Sequence, residues 1–265
     1  MALTTLHWSS QILGKQTTTQ VLLPDVGKPP FATYYLLHGR SDDHTTWLRR
    51  TRLEVYAAKY PLIIVMPDGH RGFYTDNVDG PAWAKHIGEE LPAMIERTFH
   101  AKPSRSARAI GGLSMGGYGA LRVGLAYADR FCSINSHSGA MGWSRFRDGK
   151  TLELEARRMN WNAAMRAEMK RIFGDKPLRD GPHDPLAHAR KAKRAGRLPK
   201  LLIDCGTDDF LIESNREFAH DLTRAKIPHI YREFPGAHNW DYWDIHIREA
   251  LEFHAANLRL KPLGG

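Results

Sequence analysis

The chain has 265 residues, 42% of them apolar and 25% charged, with a formal net charge of +9 and two cysteines. That length and balance fit one large globular domain or two small ones, and exclude a disordered or fibrous chain. No apolar run approaches the ~18 residues of a membrane span, and "MALTTLHWSS" has neither the basic nor the apolar region of a secretory signal, so a cytoplasmic protein is expected.

In chain order, "LHWSSQILGKQTTTQVLLP" reads as two strands around "LGKQ", an antiparallel hairpin at one sheet edge. "TYYLLHG" (33–39) and "LIIVMPDG" (62–69) are apolar runs ended by glycine, which read as strands with sharp turns after them. A helix is predicted near 47–59 between them, with Trp47 in the core and "RSDDHTTW" forming a pocket wall. "DGPAWAKHIGEELPAMIERTF" spaces its apolar residues three and four apart, predicting a helix over 82–99 with Pro81 in its first turn. "ARAIGGLS" (107–114) is a strand, 117–127 a helix, and "FCSINSHSG" (131–139) a strand. "LLIDCG" (201–206), a helix near 213–226, "HIYREFPG" (229–236) and a helix near 241–257 complete the alternation. Strand–helix alternation of this kind implies a mostly parallel sheet covered on both faces. Cys132 and Cys205 lie inside strand-like runs and read as buried free thiols. No repeat or low-complexity tract interrupts the chain, so residues 1–265 form one α/β domain.

That domain carries a basic helical insertion at 141–198. Residues 145–200 hold 16 Lys/Arg against 7 Asp/Glu, whereas the rest of the chain holds 22 of each sign. Nucleic-acid binding would call for aromatics interleaved with the basic residues, and only Phe146, Trp161 and Phe173 stand out. A solvated helical face is the better reading, with no nucleic-acid partner. His183 and His188 in "HDPLAH" have no Cys or His pair beside them and read as helix-start and cap residues, so no metal site is expected.

The chemistry is concentrated in "AIGGLSMGGYGAL" (109–121). A strand runs in and a helix runs out, so Ser114 sits on a tight turn at positive φ. Gly112 and Gly116 remove side chains that would strike the neighbouring backbone. This is the G-x-S-x-G nucleophile elbow, which raises the hydroxyl above the sheet. A serine hydroxyl needs a base, and the base needs an orienting acid. In this architecture they follow in the order Ser, Asp or Glu, His, each just after a later strand. The loop after "LLIDCG" offers Asp208 or Asp209, and the loop after "HIYREFPG" offers His238. His137 precedes both aspartates inside a strand and reads as a residue lining or bracing the pocket. Two backbone N–H groups must face the developing oxyanion. The elbow assigns one to Met115, and the loop after "YYLLHG" offers that of Arg40.

"YYLLHG", "IIVMPDG…GFYTD", "GGLSMGGYGAL", "GTDDFL" and "GAHNWDYW" together resemble the putative-esterase family of α/β-hydrolases. That family includes tributyrin esterases, S-formylglutathione hydrolase (esterase D), feruloyl and acetylxylan esterases, and mycolyltransferases. Tributyrin-type esterases look nearest, and the resemblance covers nearly the whole chain. It implies an α/β-hydrolase fold and a cofactor-free carboxylic-ester hydrolase with catalytic Ser114, Asp209 and His238. One departure is Arg40, where relatives often carry Leu or Met. The expected activity is hydrolysis of short acyl esters through an acyl-enzyme, the insertion capping the site. S-formylglutathione hydrolase-type thioester cleavage, feruloyl or acetylxylan ester cleavage, acyl transfer and non-catalytic binding are the rivals. The expected partner is a small acyl ester or thioester, and a homo-oligomer is left open.

Overall fold

The computed structural model describes residues 1–142, 153, 156–157, 160–175 and 178–263. Phe146 and most of the first third of the basic segment lie outside the described residues. Eight strands, β1 Ala2–Ser10, β2 Lys15–Leu23, β3 Ala32–Leu37, β4 Leu62–Pro67, β5 Arg108–Gly112, β6 Ser133–His137, β7 Lys200–Gly206 and β8 Ile230–Phe234, form one sheet in the order β1-β2-β4-β3-β5-β6-β7-β8. β1 and β2 pair antiparallel along their whole lengths, as the hairpin pattern predicts, and β2 joins β4 antiparallel. From β4 to β8 every pairing is parallel.

Strand alternation divides the core into two layers. Tyr35, Leu37, Ile63, Val65 and Ile110 face one side, while Tyr34, Leu36, Ile64, Met66 and Ala109 face the other. Each fully buried aliphatic side chain contributes about 1.5–3 kcal/mol, so both faces must be covered. The first face is covered by α3 Trp83–Lys85, α4 Leu91–Thr98, α5 Met115–Ala126, α7 Pro185–Arg194 and α8 Ile212–Arg224; the second by α2 Leu53–Ala57 and α9 Trp240–Asn257. Two further helices, α1 Thr46–Arg50 and α6 Ala163–Phe173, lie on loops at the C-terminal ends of the parallel strands.

Three local expectations change. The helix at 47–59 is two short helices, α1 and α2, broken where Thr51 turns extended and its hydroxyl donates to the Trp47 carbonyl at 2.6 Å. The helix at 82–99 begins at Trp83, after Pro81, and contains a π-helical turn over His86–Glu90 between α3 and α4. Pro92 explains the turn: it has no N–H for the Gly88 carbonyl, which accepts instead from Arg130 Nη1 at 3.4 Å. The freed geometry aims Glu90 at the hairpin, where its carboxylate takes the Gln11 amide at 2.6 Å and the Ser10 hydroxyl at 2.5 Å. In "HDPLAH" the cap is Asp184, which accepts from the Leu186 amide at 2.9 Å. His183 is buried behind that cap with Nδ1 2.7 Å from the Thr75 hydroxyl, and His188 lies within α7. Cys205 is buried and Cys132 half-buried, both as free thiols. Among the described residues no helix is long and apolar enough to cross a membrane.

Candidate active site

Ser114 occupies the turn between β5 and α5 at φ 52° and ψ −117°. Such a conformation is costly for a residue with a Cβ and persists only where its surroundings over-determine it. Here they do: the Ser114 amide donates to the His137 carbonyl at 2.9 Å, and its own carbonyl accepts from Tyr118 and Ala140 at 3.1 and 3.0 Å. The flanking glycines are required by contact. A Cβ on Gly116 would lie 2.4 Å from the Leu37 carbonyl oxygen, and one on Gly112 would lie 2.6 Å from the same atom.

The loops after β7 and β8 bring Asp209 and His238 to this hydroxyl. His238 Nε2 lies 3.0 Å from Ser114 Oγ, and His238 Nδ1 lies 2.8 Å from Asp209 Oδ2. His238 stands directly before Asn239, whose side chain caps α9 by accepting from the Tyr242 amide at 3.0 Å, so little backbone freedom remains in the loop. Phe210 and Trp243 hold the ring from two sides, at centroid distances of 4.5 and 4.9 Å. Asp209 is 2% exposed. Burial pushes its carboxyl up, but the His238 ring, the Leu211 amide and the Ser138 hydroxyl outweigh burial and hold it below its ordinary value. Asp208 is exposed and points out of the loop, while its amide closes the β7–β8 loops through the Gly236 carbonyl at 2.9 Å. It caps no helix, since α8 starts at Ile212 without a side-chain cap.

The loop after β3 forms the opposite wall. The Gly39 amide is taken by Asp42 Oδ2 at 3.1 Å. No acceptor among the described residues takes the Arg40 amide or that of Met115. The loop is braced from below by His38, whose Nδ1 lies 2.7 Å from the Gly39 carbonyl and whose Nε2 accepts from the Gly69 amide at 2.9 Å. With Nε2 facing the Gly69 N–H, the ring turns Nδ1 toward the Gly39 carbonyl. The Arg40 side chain turns toward α6, where its Nη2 donates to Glu168 Oε2 at 2.5 Å. Arg71 donates to the same oxygen at 2.6 Å. Above Ser114 is a cavity of about 520 Å³ with walls that include Phe73, Leu113, Trp161, Met165, Phe210 and Trp240.

Ser138 and the division of the basic segment escape the sequence reading, whereas His137 meets one half of its reading, bracing the pocket without lining it. Ser138 follows β6 at φ 48° and reaches the Asp209 carboxylate. His137 is fully buried and does not line the cavity; its Nδ1 lies 2.7 Å from Asp204 Oδ2, and Tyr242 donates to Asp204 Oδ1 at 3.0 Å. It braces the site from beneath through the carbonyl that holds Ser114. Within the basic segment, α7 inserts Leu186 and Ala189 into the core shared with α5, and among its described residues those that line the cavity are Trp161 and Met165, around the start of α6.

Residues 10–254 match the family described as "Putative esterase". The chain is 32% identical to an acetyl esterase of Caldicellulosiruptor saccharolyticus, over 96% of this chain and 98% of that protein. Among solved structures it is similar to substrate-bound FphF, a fluorophosphonate-binding serine hydrolase of Staphylococcus aureus, with a TM-score of 0.82, 29% identity and coverage of 96% and 98% of the two chains. It is also similar to the S-formylglutathione hydrolase FrmB of the same organism, with a TM-score of 0.78, 29% identity and coverage of 96% and 98%. Eight strands in hydrolase order and similarity along nearly the whole length lead to one conclusion: the chain belongs to the putative-esterase family and is a carboxylic-ester hydrolase of the α/β-hydrolase fold.

Proposed function

We propose that the chain is a serine carboxylesterase for short acyl esters, with Ser114 as nucleophile, His238 as general base and acid, and Asp209 as the orienting acid. The observation that carries this reading is the continuous relay from Ser114 Oγ through His238 to Asp209, with steps of 3.0 and 2.8 Å. The Ser114 hydroxyl passes its proton to His238 Nε2 as Oγ attacks the ester carbonyl. Negative charge develops on the carbonyl oxygen and is received by the unclaimed amides of Arg40 and Met115. Asp209 accepts from Nδ1–H, keeps the tautomer that leaves Nε2 free, and stabilises the imidazolium. His238 then protonates the leaving alcohol, and a water activated by the same nitrogen clears the acyl group from Ser114.

The short-acyl preference is supported by the cavity of about 520 Å³ above Ser114 and by the similarity to an acetyl esterase. Thioesters are a second reading, favoured by the similarity to an S-formylglutathione hydrolase. In the single domain, α6 and the turn before it act as the cap, since Trp161 and Met165 close one side of the cavity. The free thiols Cys132 and Cys205 suit a reducing, cytoplasmic setting. The test combines labelling with kinetics. A fluorophosphonate probe should label the wild type at Ser114 and leave Ser114→Ala unlabelled but folded. Across 4-nitrophenyl esters, kcat/KM should peak between acetyl and butyryl, and a formyl thioester tested in parallel ranks the second reading. Labelling that survives in Ser114→Ala removes the nucleophile assignment; a maximum at dodecanoyl removes the short-acyl assignment.

A further inference from the structure

A second cavity, of about 670 Å³, adjoins the first and shares Arg40, Trp161 and Met165 with it. Its lining residues include three arginines, Arg40, Arg71 and Arg171, and one acid, Glu168. Burial alone would raise the Glu168 pKa, but hydrogen bonds from Arg40 and Arg71 outweigh it and keep the group ionised. Among the described lining residues, three arginines therefore stand against one acid.

The hydrogen bonding is unsaturated as well. Arg40 and Arg71 each spend one Nη2 on the same Glu168 oxygen, Oε2. Arg40 Nε is buried and unbonded. Arg171 contributes its carbonyl to the Asp79 amide, but its guanidinium has no ion-pair partner among the described residues. A latch between α6 and the loops would need a single guanidinium opposite Glu168. Asp42, the acid lining the neighbouring cavity, is occupied by the Gly39 amide. Guanidinium groups held in convergent positions match a carboxylate, which they bind through two parallel N–H donors. Glu168 supplies the convergence by fixing two of the side chains before a ligand arrives.

We propose that this arginine-lined cavity is a subsite for a carboxylate carried by the substrate, so that the enzyme selects esters or thioesters bearing an anionic group beyond the scissile carbonyl. The inference rests on Ser114 as the nucleophile, since the subsite is defined by its adjacency to that hydroxyl. Arg40 links the two cavities: its amide faces the reacting carbonyl and its side chain faces the anion. The carboxylate can come from the acyl side or from the leaving group, and two matched pairs separate these sources. 4-Nitrophenyl hemiadipate against 4-nitrophenyl hexanoate tests the acyl side; 3-acetoxybenzoate against its methyl ester tests the leaving group.

In at least one pair the charged member should have the higher kcat/KM by about tenfold, the ordinary effect of a hydrogen bond to a charged group. In the double variant Arg71→Gln/Arg171→Gln that preference should vanish, while both neutral esters stay within about twofold of wild type. Added salt should lower the preference of the wild-type enzyme, an independent reading that needs no variant. Fluorophosphonate labelling of Ser114 is measured on the same preparations. No anionic preference in either pair with Ser114 labelled overturns the subsite and leaves the nucleophile standing, as does a preference that survives in the double variant. Failure to label Ser114 overturns both.

Discussion

Asp208 and Asp209 differ by one position and face opposite environments. Asp208 is exposed, whereas Asp209 is 2% exposed and receives the His238 ring, the Leu211 amide and the Ser138 hydroxyl. An Asn at 209 would offer an N–H as readily as an oxygen to His238 Nδ1 and so favour the wrong imidazole tautomer. Such a change can cost about 10⁴ in kcat in a serine hydrolase. Asp209→Asn is therefore expected to fold normally and lose nearly all activity at neutral pH, while Asp208→Asn keeps most of it. Steady-state kinetics and melting curves on the two variants check this, and the reverse ranking would assign the acid to Asp208. The same scale contains a false partner. Asp204 and His137 form a closer pair than Asp209 and His238, at 2.7 against 2.8 Å, but the ring is fully buried. Distance alone does not identify a catalytic pair; access to the hydroxyl does.

At the level of elements, β3, β5 and α5 meet at one point, the Leu37 carbonyl oxygen. It accepts from the Leu113 amide at 3.4 Å and from Trp47 Nε1 at 3.1 Å, and the Gly112 and Gly116 Cα atoms crowd it. The loop that carries the Arg40 amide begins at the next residue, His38. Gly116→Ala would place a Cβ 2.4 Å from that oxygen and 2.7 Å from the His38 carbonyl oxygen. Neither is the end of a flexible side chain, so the end of β3 must move. Overpacking of this kind costs about 1–3 kcal/mol. A shift near 1 Å in a positioned donor can lower a rate by about 10². Gly116→Ala should therefore lose kcat by about that factor with a modest loss of stability in urea. Unchanged kcat would show that the β3 loop does not position the reacting carbonyl.

Across the whole molecule, buried neutral histidines set the acid limit of stability. Burial lowers His254 to about 3 and His183 to about 4, with Arg122 adding to the effect on His183. His86 and His188 are lowered too, again mainly by burial. Their ordinary value is 6.5. Below it the unfolded chain takes up protons that the folded chain refuses, so stability falls as pH falls. The loss continues down to the folded values, about 4 for His183 and about 3 for His254. Each such group contributes a slope of up to about 1.4 kcal/mol per pH unit. Between the ordinary value and about pH 4, His183 and His254 together predict a loss of roughly 2–3 kcal/mol for each unit by which the pH falls. Urea unfolding at pH 7, 6, 5.5 and 5 measures it; equal stability at pH 7 and 5 would show that these histidines are protonated in the folded state.

The strand and helix order, the edge hairpin and the elbow were all legible in the chain, because each is written in short-range terms. Strands such as β3 and β4 declare themselves by apolar runs closed by glycine or proline, and the elbow by glycines at the positions where backbone passes backbone. The meeting of Ser114 with His238 and with one of the adjacent pair Asp208 and Asp209 was legible too, since loops after successive parallel strands open on one edge of the sheet, whereas the choice of Asp209 came with the family resemblance. Tertiary structure decided the rest. The π-helical turn at His86–Glu90 depends on Pro92 but also on Arg130, which supplies the replacement donor from 42 residues away. The pairing of His137 with Asp204 spans 67 residues and arises because β6 and β7 are adjacent in the sheet. Arg40 was visible as a departure, but its partner Glu168 lies 128 residues on, in a helix whose composition suggested only a solvated basic face. Local backbone preference fixes what each segment becomes. Which charge meets which depends on sheet order and helix placement, set by burial of both sheet faces and carried by no single stretch of sequence.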